Sequence, residues 1–312
     1  MSTTYLVTGG AGFIGNHLTR RLVEQGNTVR VIDNLSTGKR ENLADVIDRI
    51  TFIEGDITDA DTVAGAVKGA DYVLHQAALP SVPRSVADPI TSDLHNTRGT
   101  LMLLVAARDA GVKRVVQACS SSAYGDTPTL PKVETMKRAP LSPYACSKAA
   151  GEMYGCAFHR TYGLEYVGLR YFNVFGPRQD PKSQYAAVIP KFITAYMRDE
   201  APTVYGDGKQ SRDFAYIDNV VQANLKACTA KDAPGKIFNI ACGERIDLLA
   251  VLDLLTEIFG KRVEPRFDPS RPGDVKHSLA DIDLARTFLG YEPEVRFSDG
   301  LRRTVEWYKA NA

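Results

Sequence analysis

One stretch near the start of the chain restricts the fold more than any other. Val7 to Gly26 reads VTGGAGFIGNHLTRRLVEQG, with glycines at 9, 12 and 15 and an apolar repeat of Ile14, Leu18 and Leu22. The segment before it, TYLVT, has the apolar character of a short strand. Gly26 stands where a helix C-cap belongs. The next apolar run, TVRVID, ends at Asp33, 18 residues beyond Gly15. Strand, glycine turn, helix, strand and terminal acid together describe a βαβ unit built to hold a dinucleotide. Glycines at 9 and 12 let backbone amides approach a pyrophosphate. Gly15 allows close helix–strand packing. The helix N-terminus supplies partial positive charge. A carboxylate at Asp33 accepts hydrogen bonds from a ribose 2′-OH and repels a 2′-phosphate, which favours NAD over NADP.

The alternation continues for about the first 170 residues. TFIEGDI and DYVLHQAA read as strands separated by a helical stretch from Asp61 to Lys68. Residues 94–110 read as a helix, KRVVQACS as a strand, YACSKAAGEMYGCAFHRTYG as a long helix ending at Gly163, and EYVGLRYF as a further strand. This rhythm predicts an α/β fold with a doubly wound parallel sheet and right-handed crossovers. After Pro177 the pattern becomes irregular. Helices are predicted from Ala186 to Asp199, near Leu248 to Phe259, and over 281–289 and 299–309, with KIFNIA as a strand. The expected division is a Rossmann domain over 1–175 and a smaller α/β lobe over 176–312, with part of 214–242 returning to the first domain. A cleft between two such lobes is a usual ligand site.

Composition excludes several classes. The net charge of +1, with acids and bases interspersed, offers no field for nucleic acid or an anionic membrane. No apolar run approaches the roughly 18 residues of a membrane span, and the N-terminus lacks a secretory pattern. Five scattered cysteines form no CxxC pair, and the five histidines are dispersed, so neither a disulfide framework nor a metal site is expected. These features suit a soluble protein of a reducing compartment, and a cytoplasmic location is expected.

Chemistry concentrates in YACSK. Tyr144 and Lys148 lie four residues apart on a predicted helix and so share one face. A phenol is a poor base at neutral pH. A neighbouring ammonium and a positively charged nicotinamide stabilise phenolate, and the tyrosine can then take a proton from a hydroxyl. CSSSAYG ends the preceding strand, at the carboxyl edge where open α/β sheets place ligands.

The GxxGxxG spacing of TGGAGFIG, followed by YxxxK, resembles the extended short-chain dehydrogenase/reductase family over nearly the whole chain. RYFNVFGPRQ, SRDFAYIDN and RPGD resemble the signatures of its nucleotide-sugar 4-epimerases. The resemblance implies a cofactor set of Gly9, Gly12, Phe13, Ile14, Gly15, Asp33, Asn34, Asp56, Ile57, Gln76, Ala77, Ala78, Asn96, Tyr144 and Lys148. Ser120 is implied as the catalytic hydroxyl beside Tyr144 and Lys148, with Ser122 near the sugar. Family dehydratases carry an Asp-Glu pair, and UDP-glucuronate decarboxylases a Glu, where this chain has Ser121, Ser122 and Ala123. A reaction needing only hydride out and hydride back therefore fits better than dehydration.

On the substrate side the resemblance implies Asn173, Arg212 and Arg271 around a diphosphate, where the planar guanidinium suits paired oxygen anions. It places Asp274 on a ribose hydroxyl, Tyr205 near a uracil, Ser81, Val82 and Arg84 beside the sugar, and Asn239 in the substrate set. Seven residues beyond Arg271, a Tyr in the family restricts the site to unmodified hexoses. This chain has Ser278, which opens space on the order of 100 Å³, room for an acetamido group. The implied activity is NAD-dependent 4-epimerisation of UDP-GlcNAc/UDP-GalNAc as well as UDP-Glc/UDP-Gal. UDP-glucuronate epimerisation, dehydration and non-catalytic NAD sensing are the alternatives. A homodimer is also implied, with Ala149, Ala150, Gly151 and Gly155 either permitting close helix approach between subunits or forming a buried intrachain face.

Overall fold

The structure is a computed structural model that describes residues 2–181, 187–269 and 275–312. Its first six strands are β1 (Thr4–Thr8), β2 (Thr28–Asp33), β3 (Thr51–Glu54), β4 (Tyr72–His75), β5 (Arg114–Ser120) and β6 (Glu165–Tyr171). Four short strands follow: β7 (Val174–Phe175), β8 (Thr203–Tyr205), β9 (Ser211–Arg212) and β10 (Ala215–Tyr216). Then β11 (Ile237–Ile240) joins the first six in one seven-stranded sheet of order β11-β6-β5-β4-β1-β2-β3. Every neighbour in that sheet pairs parallel. The order reverses at β1 and β4, so a crevice opens at their carboxyl ends, which is where such sheets hold ligands. The last strands, β12 (Ile246–Asp247) and β13 (Arg266–Asp268), pair with β9 and β8 away from this sheet.

Helices cover both faces. They are α1 (Phe13–Glu24), α2 (Ala60–Val67), α3 (Val82–Ala87), α4 (Pro89–Asp93), α5 (Gly99–Asp109), α6 (Pro143–Tyr162), α7 (Val188–Met197), α8 (Ile217–Thr229), α9 (Leu248–Phe259), α10 (Asp283–Leu289) and α11 (Phe297–Ala310). Successive strand residues point to opposite faces. Tyr5 and Val7 accordingly enter one apolar core with Leu18 and Leu22 of α1 and Val220 of α8. Leu6 enters the other with Val63 of α2, Leu103 of α5 and Phe158 of α6. No helix among the described residues is long and apolar enough to cross a membrane.

Three elements differ from the sequence expectation. The helix over 94–110 is two pieces, a π-helical turn at Leu94–Arg98 and then α5. The turn carries Asn96 into the interior, where Nδ2 donates to the Leu79 carbonyl at 3.1 Å. Helix α8 was not read from the sequence, because Asn219 and Asn224 are buried on its apolar face and break the period. The helix expected from Ala186 begins at Val188, and Ala186 itself lies outside the described residues.

Gly151 and Gly155 of α6 serve the intrachain face. A Cβ on Gly151 would lie 2.8 Å from Gln117 Nε2, and one on Gly155 would enter the ring of Tyr166. Tyr166 is fully buried and donates to Gln117 Oε1 at 2.9 Å, so its ring has little freedom to yield. Gly155→Ala therefore lowers stability by about 1–3 kcal/mol through overpacking. Thermal unfolding followed by circular dichroism checks this. An unchanged or higher Tm would show that α6 does not press on the sheet there.

Candidate active site

The glycine turn is built by close approach. Gly9 has φ +66°, and a Cβ there would sit 2.7 Å from Ala77 Cα, so the turn lies directly against the segment after β4. A Cβ on Gly15 would strike the Gly9 carbonyl, and one on Gly10 would lie 2.5 Å from Val31 Cγ1. This corrects the sequence reading: Gly15 packs α1 on the turn itself, and Gly10 makes the approach to the strand. Gly12 is the N-cap of α1 in extended conformation. No side chain caps the helix and no acid stands in its first turn. The uncapped amides of Phe13 and Ile14 thus begin a helix with partial positive charge facing the crevice, a fit for a pyrophosphate.

Asp33 ends β2 beside this turn. Its carboxylate accepts from Ala11 N at 2.9 Å and Leu35 N at 2.8 Å. Burial raises its pKa, and these amides act in the opposite direction. Gly38 closes over it: a Cβ there would lie 2.9 Å from both carboxylate oxygens. Asn34 donates to Asp56 Oδ2 at 2.6 Å, and Asp56 also accepts from Thr58. The two residues therefore brace the edge of the crevice together.

Other members of the implied cofactor set have interior roles. The Ile57 side chain is buried in the core against Gly99. Asn96 is spent on Leu79 and on Ser147 of α6, which ties the 77–80 segment to that helix. Gln76 bonds Asn224 and Tyr171, while Ala77 N donates to Thr8 Oγ1. Ala78, next along, is partly buried. Asn239 is not open to a ligand. It is fully buried in β11, accepts from Tyr124 and donates to the Lys132 and Asp281 carbonyls. Its amide completes internal hydrogen bonds, which corrects its place in the substrate set.

Helix α6 brings the catalytic candidates together. Ser142 is its N-cap, accepting from Ala145 N at 3.2 Å, and Pro143 sits at the first helical position. Tyr144 follows, partly buried, close enough to Ser120 at the end of β5 for the serine to lower its phenol's pKa. Ser120 Oγ is 2.8 Å from Ser122 Oγ. Burial pushes the Tyr144 phenol up, Ser120 pulls it down, and negative charge on Cys119 would push it up. Lys148 is buried and donates to the Ala118 carbonyl at 2.7 Å, and burial lowers its pKa to about 8. The ammonium is therefore anchored on β5 rather than on the phenol. The lowering of the phenol expected from sequence rests on the charge of a nicotinamide.

A cavity of about 270 Å³ opens among the segments after β6. Asn173, Tyr205 and Arg212, expected on the substrate side, line it together with Lys191, Phe192 and Gln210, which the sequence did not point to. Asn173 (φ +33°) donates to the Asp213 carbonyl at 3.0 Å and to Ser278 Oγ at 3.3 Å, so the sugar-side serine abuts the cavity. Ser81, with φ +104°, caps α3 ahead of Val82 by accepting from Arg84 N at 3.3 Å. Arg271 and Asp274 lie outside the described residues. Sequence reasoning missed Glu152, fully buried and one further step of four along the Tyr144–Lys148 row. That spacing was the available signal.

Comparison with known proteins agrees with this geometry. Residues 5–241 match the model of the NAD dependent epimerase/dehydratase family. The UDP-glucose 4-epimerase of Mycolicibacterium smegmatis is 39% identical over 308 residues, covering 97% of this chain and 98% of that protein. The UDP-N-acetylglucosamine 4-epimerase of Methanobrevibacter ruminantium, solved with UDP-N-acetylmuramic acid, superposes with TM-score 0.95 at 42% identity, covering 100% of this chain and 99% of that one. The UDP-glucose 4-epimerase of Thermotoga maritima, solved with UDP-glucose, gives TM-score 0.95 at 40% identity and 99% coverage of both chains.

Gly15→Ala drives a methyl into the Gly9 carbonyl and displaces the turn. The variant is expected to purify folded but without bound dinucleotide, read by chromatography of the acid extract. Wild-type dinucleotide content would contradict the cradle.

Proposed function

The chain belongs to the NAD dependent epimerase/dehydratase family, and from that membership we propose a UDP-sugar 4-epimerase that accepts N-acetylated as well as unmodified hexoses. Its relatives include UDP-sugar 4-epimerases as well as dTDP-glucose 4,6-dehydratases, the enzyme class is isomerase, and NAD is the cofactor. The observation that carries the finer reading is the surroundings of Tyr144. A phenol, a serine hydroxyl and a buried ammonium converge at the end of β5, and the turn that follows carries Ser121, Ser122 and Ala123 with no carboxylate. Water cannot be eliminated there by a paired acid and base. Proton removal with reversible oxidation needs only the groups present.

In this reading residues 1–175 hold NAD and residues 176–312 hold the UDP-sugar. Bound NAD supplies the two-way hydride carrier and the positive ring charge that favours phenolate. Tyr144 takes the proton of the sugar 4-OH and returns it to the same oxygen after the 4-keto sugar has turned. Ser120 donates its single proton to the phenolate and accepts from the sugar 4-OH. Lys148 keeps an ammonium beside both. Arg212 and Asn173, with Arg271, hold the diphosphate while the 4-keto sugar turns about its link to UDP. Ser278, against Asn173, leaves the sugar's C2 side open. The exposed apolar side chains of Val86, Ile90 and Met153 support a homodimer.

Three expectations test this. Tyr144→Phe loses turnover by at least about 10²-fold, the usual worth of a positioned proton-transfer group, while retaining bound NAD and UDP affinity. Near-normal turnover would reject the role. The wild-type protein, incubated separately with UDP-GlcNAc, UDP-glucose and UDP-glucuronate, yields the galacto epimers of the first two by product chromatography. Ser278→Tyr removes the first conversion and keeps the second. Equal loss of both would reject Ser278 as the selector.

A further inference from the structure

Three side chains on one face of α6, each four residues after the last, reach the sheet. Tyr144 meets Ser120 at the end of β5, Lys148 meets the Ala118 carbonyl within β5, and Glu152 meets Arg170 of β6. The third of these is the strongest polar contact of the row. Arg170 Nε donates to Glu152 Oε2 at 2.9 Å and Nη2 to Oε1 at 2.6 Å, a two-pronged pair between side chains each 1% exposed. Arg138, in the loop before α6, adds a bond to Oε1 at 2.7 Å. Arg170 stands beside Cys119 in the β5–β6 register, between the levels of Ala118 and Ser120.

The same guanidinium touches the other half of the catalytic pair. It lies 4.6 Å over the ring of Tyr124, the last residue of the turn that starts after Ser120. Tyr124 is itself fixed by its bond to Asn239 Oδ1 at 2.7 Å. Arg170 Nη1 is buried without a hydrogen-bond partner, so contact with Glu152 and the Tyr124 face, rather than full hydrogen bonding, dictates its position. Tyr144 reaches this cation through eight residues of helix, about 12 Å of rigid rod. Ser120 reaches it through one tight turn.

We infer that Arg170 and Glu152 are positioning residues for the reaction: their buried pair fixes the register of α6 on β5 and β6 and so sets the separation of Tyr144 from Ser120. Neither touches substrate or cofactor. A shift of α6 on the order of 1 Å would move Tyr144 relative to Ser120 and weaken the influence of the serine that favours phenolate. Cys119 of β5 is the titratable group that acts on the Tyr144 phenol, Lys148 lies one turn further along the same helix, and both stay in place in the variants below.

The test rests on Tyr144 as the proton-transfer group, so Tyr144→Phe is run first; if it retains turnover, the functional reading fails before this inference is reached. Two variants of the holoenzyme are then compared with wild type. Arg170→Lys keeps the cation but loses the fork and the flat stack on Tyr124. The double variant Arg170→Met with Glu152→Leu replaces the pair by apolar groups, a change that buried pairs commonly tolerate. In each folded variant kcat falls on the order of 10- to 100-fold. The ascending limb of its pH profile moves to higher pH, while bound NAD and the KM for UDP-sugar stay near wild type. A folded variant with wild-type kcat and an unmoved limb overturns the proposal. So does failure of both variants to fold, since the pair would then serve the fold as a whole and not the placement of Tyr144.

Discussion

Helix α6 has to present Tyr144 to a crevice formed by strands it does not belong to, and only side-chain contacts can hold it there. Those contacts are hydrogen bonds and an ion pair made in the interior, where an unpaired polar group costs several kcal/mol. Lys148 shows the tension. Burial favours its neutral form, and the Ala118 carbonyl returns part of the lost hydration. Arg170 and Glu152 show the usual resolution for buried charge, which is mutual pairing with good geometry. In the reading proposed above, the site's proton chemistry rests on this helix being unable to slide.

The second requirement is a grip on a ligand with a rigid half and a moving half. The sheet supplies it through the ends of distant strands. The glycine turn after β1, Asp33 after β2 and the segment after β4 form one wall, and α6 with Ser120 forms the next. Asn173, Tyr205 and Arg212 line a separate cavity among the segments after β6. Asp213 organises that side. It is fully buried, and its carboxylate accepts from the amides of Cys242, Gly243 and Ala280, which draws three separate chain segments together. Burial lifts its pKa to about 6 against these donors. The fold therefore places charge-bearing groups on both sides of a cleft while keeping each tied to backbone.

What could be read from the sequence was local in chain distance. The glycine turn, its helix and Asp33 lie within about 25 consecutive residues, and each part has a steric or electrostatic reason to be there. Tyr144 and Lys148 are separated by one helical turn. The family resemblance then carried Asn173, Tyr205 and Arg212 to one cavity. The unread parts depend on long-range pairing. Asn96 and Asn239 look like ligand-facing amides in sequence, yet both are consumed by interior carbonyls. Gly15 meets the turn and not the strand, because the turn doubles back under the helix. Helix α8 hides behind buried asparagines, and Glu152 shows its meaning only once β6 places Arg170 opposite it.

If the protein withdraws hydrogen from C4 and restores it to the same carbon without releasing it, isotope at that position has nowhere else to go. The decisive measurement is epimerisation of UDP-glucose deuterated at C4, run in ordinary water, with the product examined by mass spectrometry and NMR. The account expects UDP-galactose that keeps its deuterium at C4. Product with hydrogen from solvent at C4 would contradict it.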